Sequence, residues 1–147
     1  EEAVRADLSR ARWAKLNDEE LHELSSAPVG SFGGLAEEAA AFREELGLEL
    51  LFLTRGSEGA ALLGPAGEVL QLPAVALGQL ADTVGAGDAF TAVAMLGLSG
   101  GWSGELILQR AVEFAAAACC LEGATSSRRE HYSDFLRSWG EPGPLRD

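Results

Sequence analysis

Apolar positions recur at helical spacing in some stretches of the 147-residue chain and crowd into short runs in others. Their alternation predicts helices and strands in an α/β layer arrangement. Glu1 to Arg10 is charged with a helical pattern, and "RWAKLN", Arg12 to Asn17, predicts a short strand ending on a helix-capping residue. Asp18 to Leu24 continues as an acidic helical turn or two, after which "SSAPVGSFGG" breaks the period and reads as a loop. Leu35 to Gly47 sets apolar residues at helical spacing with acids opposite and a glycine at the end, the pattern of a surface helix. "LELLFLT", Leu48 to Thr54, is nearly all apolar, as in a parallel strand covered on both faces.

"GAALLG" and "EVLQL" predict two strands joined by the turn Gly64-Pro65-Ala66-Gly67, a hairpin. The segment Asp88 to Leu98 is apolar almost all round, which predicts a helix buried on every side. Glu105 to Leu121 predicts a long alanine-rich helix and Arg129 to Trp139 an amphipathic one, followed by a Pro/Gly-rich tail. There is no internal repeat. Only two of these strands read as sheet centre, few for a three-layer domain, and the first helix opens without a capping start. The expectation is a chain that lacks an N-terminal portion.

Composition narrows the function. With 47% hydrophobic residues the chain is far from a disordered profile. No apolar run is long enough to span a bilayer and no signal segment opens the chain, so a cytoplasmic protein with no membrane partner is expected. Twenty-three acids against 11 Lys and Arg give a net charge of -12, which argues against a nucleic-acid partner. The same charge means that any phosphate site must rest on local backbone amides or a metal ion. Cys119 and Cys120 are adjacent and read as small buried apolar side chains, and with His22 and His131 isolated no zinc site is visible.

The chemistry concentrates in "ADTVGAGDAF", Ala81 to Phe90, where two carboxylates are separated by small residues just before a helix. Glycines ahead of a helix let backbone N–H groups converge on an anion where the helix dipole adds partial positive charge. Gly85, Ala86 and Gly87 are small enough for phosphate to approach the main chain. Asp88, beside that site, would repel phosphate unless it had a separate task, such as accepting a proton from an attacking hydroxyl. The competing reading is a plain turn with a dipole-favoured Asp88. A dinucleotide-binding loop fits worse, because Phe90 stands where a third small residue belongs, and no Walker A sequence is present.

"DTVGAGDAF", Asp82 to Phe90, resembles the C-terminal signature of the ribokinase-like, or PfkB, family of carbohydrate kinases. Further segments agree in order: "KLNDEE" resembles the Asn-x-x-Glu motif, with Asn17 and Glu20 in place. "TRGSEGA" resembles the Thr-x-Gly-x-x-Gly segment along the nucleotide phosphates, with Thr54, Gly56 and Gly59, and "EGA", Glu122 to Ala124, resembles a late loop near adenine. The resemblance implies a ribokinase-like α/β fold, of which residues 1–147 would be the nucleotide-binding C-terminal half: part of a mostly parallel sheet with helices on both faces. It implies ATP and Mg²⁺, with Asp88 as catalytic base and Gly85, Ala86 and Gly87 as the anion hole. Asn17 and Glu20 would serve magnesium and phosphate. Asp82, the Val84 carbonyl and the loop at Gly123 would form a K⁺-type cation site. The alternative reading makes Asn17 and Glu20 a helix cap and a solvated first-turn acid, and Thr54 and Gly56 a simple strand exit.

The sugar-binding residues and the dimerising lid of the family would lie in the N-terminal half, so a sugar substrate and a homodimer follow from the resemblance alone. The wording "KLNDEEL" and "FAAAACCLEGA" is most similar to bacterial fructokinase-type members, and residues 1–147 by themselves are expected to be inactive. A noncatalytic nucleotide-binding module, a dinucleotide-dependent oxidoreductase domain, and a nucleoside or vitamin-precursor kinase of the same fold are the alternatives.

Overall fold

The structure, a computed structural model, describes residues 1–25, 33–75, 84–120 and 129–140. Its elements in chain order are α1 (Glu2–Leu8), β1 (Trp13–Asn17), α2 (Asp18–Ser25), α3 (Leu35–Leu46), β2 (Leu50–Thr54), β3 (Ala60–Leu63), β4 (Val69–Leu72), α4 (Ala86–Ser99), α5 (Gly104–Ala118) and α6 (Arg129–Ser138). A single 3₁₀ turn, Gly56–Glu58, links β2 to β3. The strands form one sheet in the order β1-β2-β3-β4. The β1–β2 pair is parallel, while β2–β3 and β3–β4 are antiparallel. The expected hairpin is therefore present, and the described sheet is mixed instead of mostly parallel. The five residues, 64–68, that join β3 to β4 leave no length for the crossover a parallel pair needs.

Period-two alternation assigns the strand side chains to two cores. Ala14, Leu16, Leu51, Leu53, Ala61 and Leu63 face a layer with α2 and α3, where Leu21, Leu24, Ala39 and Phe42 are buried. Phe52, Ala60 and Leu62 face the other layer, against Phe90, Val93 and Ala94 of α4 and Ile107, Leu108 and Ala111 of α5. Helices on both faces, as expected, explain why β2 is apolar throughout. Among the described residues no polar or charged side chain is buried. Arg5 ties α1 down by reaching the Leu24 carbonyl and Glu45 while its guanidinium lies 5.5 Å from the Phe42 ring centroid. Arg110 does the same for α6, stacked 4.0 Å over Trp102 and donating to the Trp139 carbonyl at 2.9 Å.

Two expectations are corrected. The helix α4 starts at Ala86, two residues before the expected Asp88, and only one face of it is covered: Met95 and Leu96 are 52% and 38% exposed. The described residues contain no layer outside α4 to bury its second face. Cys119 is half-buried and Cys120 exposed, because the pair falls at the last turn of α5 where the helix leaves the core.

Candidate functional site

The parallel register brings the ends of β1 and β2 together, with Asn17 beside Thr54, and the antiparallel register adds Ala60 at the start of β3. Asn17, Glu20, Thr54, Gly56 and Gly59 therefore gather at one end of the sheet, outside the carboxyl ends of the parallel strands, the position at which open α/β sheets bind ligands. Asp82 and Gly123 lie outside the described residues. Val84 sits in the turn just before α4 and is 61% exposed.

On β1 the burial pattern alternates, so Trp13, Lys15 and Asn17 turn toward the α4 layer while Ala14 and Leu16 point into the opposite core. Lys15 is in register with Phe52, whose ring packs edge-on against Phe90 at a centroid distance of 5.8 Å. Such a pair adds about 1 kcal/mol beyond its buried area. Phe90 lies one turn after Gly87, so this contact lowers the first turn of α4 over β1. A Cβ built on Gly87 would be 3.4 Å from the Lys15 Nζ.

The first turn of α4 is built for an exposed main chain. Gly85, the N-cap, has φ 87° and ψ -8°, a left-handed conformation suited to glycine, and no side chain caps the helix. The leading N–H groups of an α-helix have no partners within it. Ala86, Gly87 and Asp88 occupy these positions, so the amides with no partner inside the helix belong to α4 itself and not to a loop ahead of it. Asp88 is exposed on the same turn, and Thr91 donates its hydroxyl to the Gly87 carbonyl at 2.8 Å. A cleft of about 430 Å³ opens beside it, lined by Lys15, Glu20, Trp13 and Thr91 among others. The arrangement offers a cation and helix-terminal amides to an anion, with a solvent-facing carboxylate nearby.

Asn17 and Glu20 form a reciprocal capping box. The Glu20 N–H donates to Asn17 Oδ1 at 2.7 Å, and the Asn17 N–H donates to Glu20 Oε2 at 2.8 Å. This is the capping role that spacing allowed, and it holds the Glu20 carboxylate at the mouth of the cleft. Three or more acidic, His or Cys side chains able to hold a metal ion are not found together among the described residues. The donor set fits magnesium carried mainly by phosphate oxygens and water, the usual manner of this ion, with at most one carboxylate from Glu20.

The Thr54 hydroxyl donates back to the Leu16 carbonyl at 3.4 Å, tying the two strand ends together. Gly56 opens the 3₁₀ turn with empty space around it, whereas Gly59, at φ 96°, is pressed against the backbone that follows β4. A Cβ there would stand 2.6 Å from Pro73 C and Ala74 N, and closer still to the Leu72 carbonyl oxygen. Gly59 thus packs main chain on main chain.

Lys15, which lines the cleft, is the candidate that motif reading passed over. The signal was its place in the alternating β1 pattern, two positions before Asn17 on the same face. Its proximity to Gly87 joins residues 72 positions apart and exists only in the folded chain.

A family model described as pfkB family carbohydrate kinase matches residues 1–131. Ribokinase of Arabidopsis thaliana is 31% identical over 117 residues, covering 80% of this chain and 31% of that protein. The crystal structure of ribokinase from Thermotoga maritima aligns with a TM-score of 0.75 and 27% identity, over 90% of this chain and 44% of the other. Arabidopsis thaliana ribokinase complexed with ribose and ATP aligns with a TM-score of 0.73 and 28% identity, over 82% of this chain and 38% of the other. The chain spans less than half the length of each of these relatives. Its fold is ribokinase-like, and the chain belongs to the pfkB family of carbohydrate kinases.

Proposed function

We propose that this chain is the nucleotide-binding C-terminal half of an ATP-dependent sugar kinase. The observation that carries the reading is the convergence of Lys15 and the uncapped first turn of α4, with Asp88 on that turn. In a protein with net charge -12, a local cation beside helix-terminal amides is the setting in which a polyphosphate can be held. ATP would be held by Lys15 and the amides of Gly85 to Asp88, with Thr54 and Gly56 at the neighbouring strand end, and would supply the transferable phosphoryl group. Glu20 would hold Mg²⁺, which offsets phosphate charge. Asp88 accepts the proton of the sugar hydroxyl, and the amides stabilise the negative charge on the transferring group. Asp82, the Val84 carbonyl and Gly123 form the K⁺-type cation site in this reading.

The acceptor is a sugar hydroxyl. A fructokinase-type ketohexose rests on the wording of two segments, and ribose, the sugar bound in the Arabidopsis complex, is its competitor. Side-by-side assays of the complete kinase on fructose and ribose decide between them. The chain alone is proposed to be inactive.

The test of mechanism is Asp88→Asn in the complete kinase. Removal of a positioned general base costs roughly 10² to 10⁴ in rate, so kcat falls by that factor while the KM for ATP stays within about twofold of wild type. A variant that keeps most of its turnover refutes the assignment.

A further inference from the structure

Glycine at position 87 leaves the main chain of α4 open to an anion and to Lys15, whose Nζ stands 3.4 Å from the place a Cβ would take. The same missing side chain removes a restraint on the orientation of the peptide. Thr91, one turn on, restores that restraint by donating its hydroxyl to the Gly87 carbonyl at 2.8 Å. In an α-helix the Thr91 N–H is directed to the same oxygen, so both lone pairs of the Gly87 carbonyl are engaged.

A carbonyl and the N–H of the next residue belong to one planar unit and point in opposite directions. The counterpart of the Gly87 carbonyl is the Asp88 N–H. A bond that holds the carbonyl therefore sets the direction of that N–H, and by drawing electron density toward the oxygen it makes the N–H a stronger donor. The Asp88 N–H is the last of the leading groups with no acceptor inside α4, since the next, that of Ala89, donates to the Gly85 carbonyl at 2.8 Å. The residues one turn behind Gly85 and Ala86 are Ala89 and Phe90, which have no hydroxyl to offer. Of the peptides that begin the helix, Gly87–Asp88 is the one held from behind.

Ser and Thr in helices commonly bond back to the carbonyl four residues earlier, a local habit that needs no ligand. Ser99, exposed at the other end of α4, does so with the Met95 carbonyl at 2.8 Å. The N–H of that peptide, on Leu96, lies within the helix ladder and is directed to the Ala92 carbonyl. Thr91 differs on two counts. The N–H on the far side of its peptide has no acceptor in the helix, and Thr91 itself lines the cleft that contains Lys15 and Glu20.

We propose that Thr91 is a positioning residue for phosphoryl transfer, which orients and polarises the Gly87–Asp88 peptide so that the Asp88 N–H stabilises the charge on the transferring group. The proposal rests on the reading of the first turn of α4 as the phosphoryl site. Because that charge develops on the way to the transition state, the hydroxyl acts on kcat more than on the binding of ATP.

The test compares variants of the complete kinase. Thr91→Val removes the hydroxyl and keeps the shape of the side chain, so kcat falls by about three- to tenfold, as for the loss of one hydrogen bond, while the KM for ATP stays within about twofold. Thr91→Ala, free of the branched side chain, shows the same loss. Thr91→Ser keeps the hydroxyl and restores kcat to within about twofold of wild type, and Ser99→Ala leaves it unchanged. A second readout needs no nucleotide: in the 147-residue chain the Asp88 amide proton resonance moves upfield in Thr91→Val and returns in Thr91→Ser. An unaltered kcat in Thr91→Val, an Asp88 amide that stays in place, no recovery in Thr91→Ser, or an equal loss in Ser99→Ala overturns the inference. The kinase reading is judged separately by Asp88→Asn. If that variant loses turnover and Thr91→Val does not, this inference falls and the reading stands. If Asp88→Asn keeps its turnover, the reading falls and takes the catalytic role of Thr91 with it, whatever the Asp88 amide does.

Discussion

Gly56 and Gly59 occupy equivalent places in the glycine-bearing segment after β2, yet the structure predicts unequal consequences for replacing them with alanine. Both have positive φ, 50° and 96°, where an L-residue is strained by about 1 to 3 kcal/mol. The surroundings then separate them. A Cβ on Gly56 meets nothing within 4 Å, whereas a Cβ on Gly59 meets the main chain of Leu72, Pro73 and Ala74 at 2.6 Å or less. Backbone cannot rotate away as a side chain would, so the end of β4 has to move, and forced overpacking adds roughly 1 to 3 kcal/mol. Gly56→Ala is expected to cost about 1 kcal/mol and Gly59→Ala about 4 kcal/mol. At a urea dependence near 2 kcal/mol per molar, the Gly59→Ala midpoint falls by ~2 M and the Gly56→Ala midpoint by ~0.5 M. Melting temperatures fall by about 12 °C and 3 °C on the scaling for a domain of this size. Equilibrium urea unfolding followed by circular dichroism reads both. If the two variants lose the same small amount of stability, the close approach of Gly59 to the chain after β4 is wrong. Its glycine would then have to be explained by a ligand.

Three further outcomes are expected. Lys15→Met removes a charged hydrogen-bond donor worth about 1.5 to 3 kcal/mol, so calorimetric titration of the chain with Mg-ATP shows a Kd raised roughly 10- to 100-fold; an unchanged Kd separates Lys15 from the phosphate site. Asn17→Ala breaks the capping box and lowers stability by about 1 kcal/mol, while Asn17→Asp, which keeps the acceptor oxygen, restores most of it; equal losses in the two variants count against the cap. The Arg12 guanidinium donates to both Glu49 oxygens at 2.9 and 2.8 Å and holds that carboxyl below the usual glutamate range through hydrogen bonding. Because the folded value is the lower one, the pair's contribution is complete above the ordinary glutamate pKa and disappears as pH falls through the lowered value. An NMR carboxyl titration places Glu49 below the usual range, and Arg12→Ala moves it back up; a midpoint indifferent to Arg12 removes the pair from the account.

Much of the molecule was legible in the chain because its signals are local. The near-continuous apolar run of β2, the helical spacing of α3 and the turn Gly64-Pro65-Ala66-Gly67 each fix their element through the side-chain period or backbone chemistry of neighbouring residues. The lack of a long apolar run was legible in the same way, and no helix among the described residues is long and apolar enough to cross a bilayer. The motif glycines, Asn17 with Glu20, and Asp88 also announced themselves. Their roles were harder to read. Spacing allowed Asn17 and Glu20 to be a cap or a metal station, and allowed Gly59 to face a ligand or a neighbouring strand.

What the sequence alone determined is which segments form helices and strands, and that a run of small residues, Gly85 to Gly87, precedes the acid Asp88, since both are properties of neighbours along the chain. The tertiary structure decided which distant groups meet. Parallel register sets Asn17 against Thr54, the Phe52–Phe90 contact lowers α4 until Gly87 stands over Lys15, and antiparallel return brings the chain after β4 onto Gly59. It also decided that α4, apolar nearly all round, is covered on one face only. Hydrophobicity records that a residue avoids water. It does not record which partner will exclude the water, and that is settled only when layers pack.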